Sequence, residues 1–364
     1  MPVISISRTH EGRDFRRSLL DLLPGLALVV GVSIGAMLLQ STVLFSRQLP
    51  LSSLILAIVL GMGLANSIQL PVRSRPGIKF AARQILRLAI IFLGFKLSMA
   101  QIAGIGPKAL AATAIGSTAT LLLSLWLGRR LGVPMKRALL LGSGVSICGA
   151  SAVAAVGGVV DADEEDAAFA IGAVTLFGTA FMFLYPLARA LMGMPGLLYA
   201  LWTGSSIHEV AQVAAASSVL PDSLRGIAAT VKMIRVLFVV PLTLVLSFIP
   251  FDGPGGAETP AGTPAGAAAG APRGGRRVSV PWFALLFFAA VILNSVAPFA
   301  AGTRAALAGF DGWLMTAAMA GLGLDIRMRS FASIGPRAAL LGALASILIS
   351  GLSVSLIILF HAQG

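Results

Sequence analysis

Acid is scarce in this chain. Fourteen Asp and Glu stand against 27 Lys and Arg in 364 residues, and charged residues of both signs make up only 11%. An ordinary soluble domain carries about 25%, so that class is excluded. Cysteine is scarcer still. Cys148 stands alone, which rules out an intramolecular disulfide framework and any cysteine-based zinc cluster. Of the three histidines, His10 and His361 lie in the tails, so no metal site and no metal cofactor is expected. The first twenty residues, MPVISISRTHEGRDFRRSLL, are too polar for the apolar core of a secretory signal, and none is expected.

Apolar residues are abundant instead: 57% of the chain, with a mean hydropathy of +0.92. They fall in runs near ~20 residues, each long enough to cross a ~30 Å hydrocarbon core. The expected fold is an all-α polytopic membrane protein of about eleven transmembrane helices. The spans are placed near 21–45, 52–68, 80–98, 107–127, 136–160, 165–191, 196–217, 223–249, 280–300, 305–324 and 336–360. Residues 1–20 form a basic tail, 21–249 a first block of eight spans and 280–364 a second block of three. Between the blocks, residues 250–279 form a Gly/Ala/Pro-rich stretch without periodicity, expected to be a flexible cytoplasmic linker.

The net charge of +13 invites a nucleic-acid reading, but the basic residues cluster between apolar runs, where they set topology. With the N-terminus cytoplasmic, 20 of the 27 face inward. Arg47, Lys108, Arg225 and Arg304 face outward, with Lys96 near the outer end of a span. The C-terminus is then expected outside. In this count the acidic run 161–166 (DADEED) also falls outside and Arg189 inside.

Two internal similarities stand out. Leu93-Gly94-Phe95-Lys96-Leu97, followed by Ile105-Gly106-Pro107-Lys108-Ala109, recurs near the end of the chain with its spacing kept. The second copy is Leu322-Gly323-Leu324-Asp325-Ile326 followed by Ile334-Gly335-Pro336-Arg337-Ala338. Upstream, Asn66-Ser67 pairs with Asn294-Ser295. These copies run in opposite directions through the bilayer, the mark of transporters whose halves rock around a midplane site. The second similarity links 142–155 (GSGVSICGASAVAA) to 203–216 (TGSSIHEVAQVAAA). Gly and Ser replace the Leu of a spanning helix in both, so helices broken inside the membrane are expected at 136–160 and 196–217. Eleven spans make these two parallel, which leaves open a miscount near Gly193–Ser206 or a permuted repeat.

Ionisable groups inside a bilayer cost several kcal/mol and mark function. The deep set is His208, Glu209, Lys232 and Arg235, with Gln212, Asn66 and Asn294 as uncharged members. Lys232 and Arg235 are three apart, and His208 and Gln212 four apart, each pair on one helical face. Glu209 and Lys232 both lie about 12–13 Å from the outer end of their spans, either as a charge-neutralising pair or as part of a solute site. Two cations against one carboxylate leave a surplus of positive charge. Ser146, Ser205, Ser206 and Cys148 could add donors beside freed backbone N–H groups. Donors plus cations suit an oxyanion. A nucleophile–base–acid set of Cys148, His208 and Glu209 is disfavoured, because adjacent His and Glu point about 100° apart on a helix; no catalytic residue and no enzyme activity is expected. His208 could instead carry protons or simply pack.

At SICGASA (146–152) and SSIHEVAQV (205–213) the chain resembles the bacterial sulfate exporter family of YeiH type. The run IFLGFKLSMAQIAGIGPKAL (91–110) is more distantly similar to the cation–proton antiporter and bile-acid symporter superfamily. The resemblance implies a core domain with crossing broken helices beside a scaffold, in the bacterial inner membrane, and export of sulfate or a sulfonate. The expected solute is a small anion, with a proton or sodium ion as coupling partner, the lipid bilayer as surroundings, a homodimer as an allowed assembly and no nucleic acid. The alternatives are a cation–proton antiporter using Glu209, and a channel or non-transporting membrane protein.

Overall fold

In the computed structural model, the described residues are 11–41, 52–249, 282–296, 299–328 and 335–362. The linker at 250–279 and residues 1–10 of the tail lie outside them. The described residues are helical, without strands. Helix α1 is Glu11–Ser41 and α2 is Ser53–Ser67. Helix α3 runs continuously over 75–94 through a π-helical turn at Ala81–Ile85, and a short α4 covers Met99–Ala103. Helix α5 is Gly106–Arg130. Helix α6 (Met135–Ser143) continues through a π turn, Gly144–Cys148, before α7 (Ala150–Val160). Then follow α8 (Glu164–Met192), α9 (Gly196–Ser206), α10 (Val210–Ala216), α11 (Asp222–Leu237), α12 (Val239–Ser247), α13 (Trp282–Val296), α14 (Ala301–Asp325) and α15 (Pro336–Ala362). Six segments are long and apolar enough to cross a membrane unaided: α1, α5, α8, α11 with α12, α14 and α15.

All eleven expected segments are helical among the described residues, but the two broken ones fold back on themselves. Lys136, at the start of α6, donates to Asp161 O, just beyond the end of α7, at 2.9 Å. A continuous helix would put these residues ~37 Å apart. Arg137 likewise reaches Asp166, at the start of α8, at 2.5 Å. The second segment closes the same way: Tyr199 Oη donates to Ala216 O at 2.8 Å, and Gly196 packs against Leu220 and Leu224. Each is a re-entrant hairpin whose eleven-residue arm, α7 or α9, reaches ~16 Å, about half a bilayer.

This corrects the side assignments. The acidic run 161–166 lies on the side of Lys136 and Arg137, and α8 runs opposite to the eleven-span count, which carries Arg189 to the other side. The two reversals cancel, so every other segment keeps its expected direction. They also remove the parallel-repeat puzzle: the hairpins enter from opposite sides and are themselves inverted.

The helices form two layers. A scaffold layer holds α1, α2, α3, α13 and α14; a hairpin layer holds α5 to α12 and α15. In the scaffold, α14 crosses α2 where Gly323 meets the backbone of Ile58, and α3 crosses α13 where Gly94 meets the backbone of Phe287. Gly94 and Gly323 are equivalent positions of the repeat, and Ile58 and Phe287 are separated by the same sequence offset. The inverted repeat therefore holds at the level of single contacts. No β-carbon fits at either glycine. In the hairpin layer, α5 packs on α15, which brings their hairpins tip to tip. The second hairpin and α11 precede α13 to α15 in sequence but take the place that the first hairpin and α8 take after α5. The repeat is circularly permuted.

Candidate functional site

The site begins at two chain breaks. In the first hairpin the π turn ends at Gly149, with φ 74° and ψ −138°. That conformation is open to glycine alone, and a β-carbon there would run into the side chain of Glu209. In the second hairpin Ile207 and Glu209 are extended, with φ −63° and −114°, so helical bonding stops at Ser206 and resumes at Val210. Each break frees carbonyls at the C-terminal end of one arm and N–H groups at the N-terminal end of the next.

Lys232 and Arg235 fill the carbonyl pole. Both are 0% exposed. Lys232 donates to Ile147 O at 2.7 Å and Ile207 O at 2.8 Å, one from each hairpin. Arg235 donates to Ser146 O (3.2 Å), Val145 O (3.0 Å), Gly204 O (3.3 Å) and Ile207 O (3.0 Å). Six charge-assisted bonds thus tie the two tips to one helix, and the negative ends of α6 and α9 oppose the two positive charges. The expectation that these cations contact solute meets a different set of partners: their donors point at backbone. Among the described residues no ion pair within 4.0 Å joins either of them to Glu209.

Glu209 sits at the opposite, N-terminal pole and is half-buried. Its Oε1 accepts from Ala150 N, the first residue of α7, at a long 3.4 Å. Its own N–H is held by Gln212 Oε1 at 3.1 Å, and Gln212 packs over Gly178 of α8. The electrostatic neighbours of this carboxylate include Lys232 from behind and Arg83 from the scaffold. Arg83 lies in the π turn of α3 and is exposed, as is Ser151 beside the first tip. The reachable face of the tips is therefore the face that carries Glu209, not the one that carries the buried cations.

The remaining candidates divide. His208 is 0% exposed, with Nε2 2.7 Å from Ser346 Oγ. Ser346 Oγ also lies 2.7 Å from Gly342 O, and His208 Nδ1 is buried without a hydrogen-bond partner. Cys148 is buried and its sulfur accepts from Ser151 Oγ at 2.9 Å. Ser146 Oγ is buried beside the tip with no partner. Ser205 and Ser206 both donate to Trp202 O, at 3.1 and 2.5 Å, and Ser206 meets Tyr185 Oη at 2.8 Å; these two hydroxyls serve packing. Asn66 and Asn294 are not at the tips. Asn66 donates to Ile326 O at 3.0 Å and Asn294 to Leu97 O at 2.9 Å, each clasping the end of the scaffold helix it packs against. Sequence reasoning misses Arg83. It falls within the 80–98 span, but its charge groups it with the inner loop, and a π turn leaves no residue signature. Among the described residues no cluster of three His, Cys, Asp or Glu offers a metal site.

Residues 24–342 match the model of a family described as conserved hypothetical protein 698. The chain belongs to that family. It is 33% identical over 314 residues to a UPF0324 membrane protein of Corynebacterium glutamicum, covering 85% of this chain and 86% of that one. It is 34% identical over 310 residues to a UPF0324 membrane protein of Pseudomonas putida, covering 84% of each. With the UPF0324 inner membrane protein YeiH of Salmonella typhi it shares 31% over 355 residues, 95% of this chain and 97% of that one. No solved structure matches. This is a multi-pass membrane protein of the UPF0324 family, and the family names carry no substrate.

Proposed function

We propose that this protein is a secondary active transporter for a small oxyanion, carried at the Glu209 face of the hairpin tips while the hairpin layer moves against the scaffold. One observation carries the reading. A carboxylate, itself an oxyanion, occupies the N-terminal pole of α7 through Ala150 N, with the buried Lys232 and the exposed Arg83 as its cationic neighbours. Two cations around one acid, beside a helix N-terminus, make a pole built for negative charge. A solute oxyanion takes that pole when Glu209 swings out or takes up a proton, which couples anion movement to protons. Lys232 and Arg235 then act at a distance, by holding the tips and setting the potential.

Two inverted hairpins meeting tip to tip support alternating access from the two sides. Basic residues gathered on the side of Arg129, Arg130, Lys136 and Arg137 support an inner-membrane orientation with the linker inside and the C-terminus outside. Cation–proton antiport is the second reading, favoured by Glu209 being the one acid at the tips. Counterflow in proteoliposomes separates the two. Sulfate, sulfite or an alkyl sulfonate should exchange, and Glu209→Gln should keep exchange while losing its dependence on a proton gradient. Sodium or proton flux without any anion flux would sink the oxyanion reading, and no flux of either kind would favour a non-transporting role.

A further inference from the structure

On the side opposite the linker, a cavity of about 200 Å³ opens between the layers, apart from the hairpin-tip face that carries Glu209. Ser52 and Ser53 of α2 and Asp311 of α14 line it from the scaffold; Ser217, Ser218 and Arg225 line it from the second hairpin and α11. Asp311 is 3% exposed. Its Oδ2 receives Lys96 Nζ at 2.8 Å, whereas its Oδ1 has no partner. Arg225 is paired through Nη2 with Asp222, whereas its buried Nε has no partner. Both are buried polar atoms to which the protein offers no partner, on residues that line the cavity.

The inventory of free donors and acceptors defines the occupant. Ser52 Oγ donates to Ser218 Oγ at 2.6 Å, Ser218 Oγ to Ala215 O at 2.5 Å and Ser217 Oγ to Ala214 O at 3.4 Å. Their protons are spent; Ser52 Oγ also accepts from Ile55 N at 3.4 Å and Ser218 Oγ from Ser52, so each of these two keeps one lone pair. The walls thus bring together the serine oxygens, the Gln40 amide, the Asp311 carboxylate and the Arg225 guanidinium. Its charges balance, with Lys96 and Arg225 against Asp222 and Asp311. A simple anion would meet Asp311, and a metal cation would compete with Lys96 for the same carboxylate. We propose that this cavity binds a small zwitterion, its ammonium on Asp311 and the serine oxygens and its acid group on Arg225. Because the walls belong to both layers, an occupant ties the hairpin layer to the scaffold.

The test titrates purified full-length protein with β-alanine and with its two halves, propionate and propylamine. Melting temperature should rise with β-alanine concentration and saturate, with neither half effective over the same range. Asp311→Asn and Arg225→Gln should each weaken β-alanine at least tenfold, and Glu209→Gln should leave it unchanged. Should Asp311→Asn fail to fold, Arg225→Lys, which keeps the charge but loses the Nε–H, carries the same comparison. The proposal falls if no probe binds and the cavity holds water alone, if propionate binds as well as β-alanine, or if Glu209→Gln abolishes binding while the Arg225 variants keep it.

Discussion

The two layers treat the same symmetry differently. In the scaffold the inverted copies are interchangeable: Gly94 meets Phe287 as Gly323 meets Ile58, at one shared sequence offset. In the hairpin layer the copies have parted. The first tip turns on Gly149 at φ 74° and contributes backbone and the small side chains of Ser146, Cys148 and Ser151; the second turns on extended residues and contributes His208, Glu209 and Gln212. The scaffold keeps its symmetry, and the layer that carries the hairpin tips has lost it. Polar chemistry is concentrated where the copies differ most.

Breaking that layer at its shared anchor should have the largest effect. Arg235 holds four carbonyls and Lys232 two, and each charged hydrogen bond contributes about 1.5–3 kcal/mol net. Removing either side chain strands carbonyls in a dry interior, so Arg235→Met should cost at least ~4 kcal/mol and Lys232→Met about 3. Thermal unfolding of the purified variants checks the order. Were Lys232→Met to keep its stability and lose only anion binding, the cation would be a solute ligand after all.

The next effect separates the tips from one another. Gly149→Ala combines a positive-φ backbone that residues with a β-carbon rarely adopt, costing ~1–3 kcal/mol, with a collision against Glu209. Ile207→Ala at the second tip should cost only its buried side chain, about 2–4 kcal/mol, with no steric conflict. The sign of their coupling to Glu209 tells them apart. Glu209→Ala should restore part of the stability lost in Gly149→Ala and none of that lost in Ile207→Ala, in a double-mutant cycle read by melting temperature. Equal rescue of both would mean that the tips are alike.

Much of this is legible in the residues. The inverted repeat is readable because its Leu-Gly pairs sit where helices cross, and close approach there leaves no choice but glycine at Gly94 and Gly323, while Gly106 turns the chain at φ 74°. The broken helices are readable from Gly and Ser in apolar surroundings. What hydropathy cannot show is whether a broken helix continues or returns. Residues 136–160 have the length of a span either way, and the deciding contact, Lys136 to Asp161 O, joins the two far ends of that stretch. Nor does a charge reveal its partner from sequence. Arg235 and Lys232 look free beside Glu209 until the backbone bends back and presents its carbonyls. Arg83 is hidden for the opposite reason, since it looks like one more topogenic arginine.

The smallest effect tests how far the scaffold's symmetry extends. Besides a bond from Nδ2 to Met62 O of its own helix at 2.8 Å, Asn66 does two things across the helix contact: its Nδ2 donates to Ile326 O at 3.0 Å, and its Oδ1 accepts Met328 N at 2.8 Å. In the other copy the matching backbone atoms are Leu97 O and Met99 N. There the work is divided: Asn294 Nδ2 donates to Leu97 O at 2.9 Å and Ser295 Oγ accepts Met99 N at 2.8 Å. With net hydrogen bonds of about 1 kcal/mol each, Asn66→Ala should cost ~2 kcal/mol, and Asn294→Ala and Ser295→Ala ~1 kcal/mol apiece. The double variant Asn294→Ala/Ser295→Ala should then melt close to Asn66→Ala. A double variant no less stable than either single one would mean that the two clasps carry different loads, and that the scaffold has begun to lose the symmetry the hairpins have already given up.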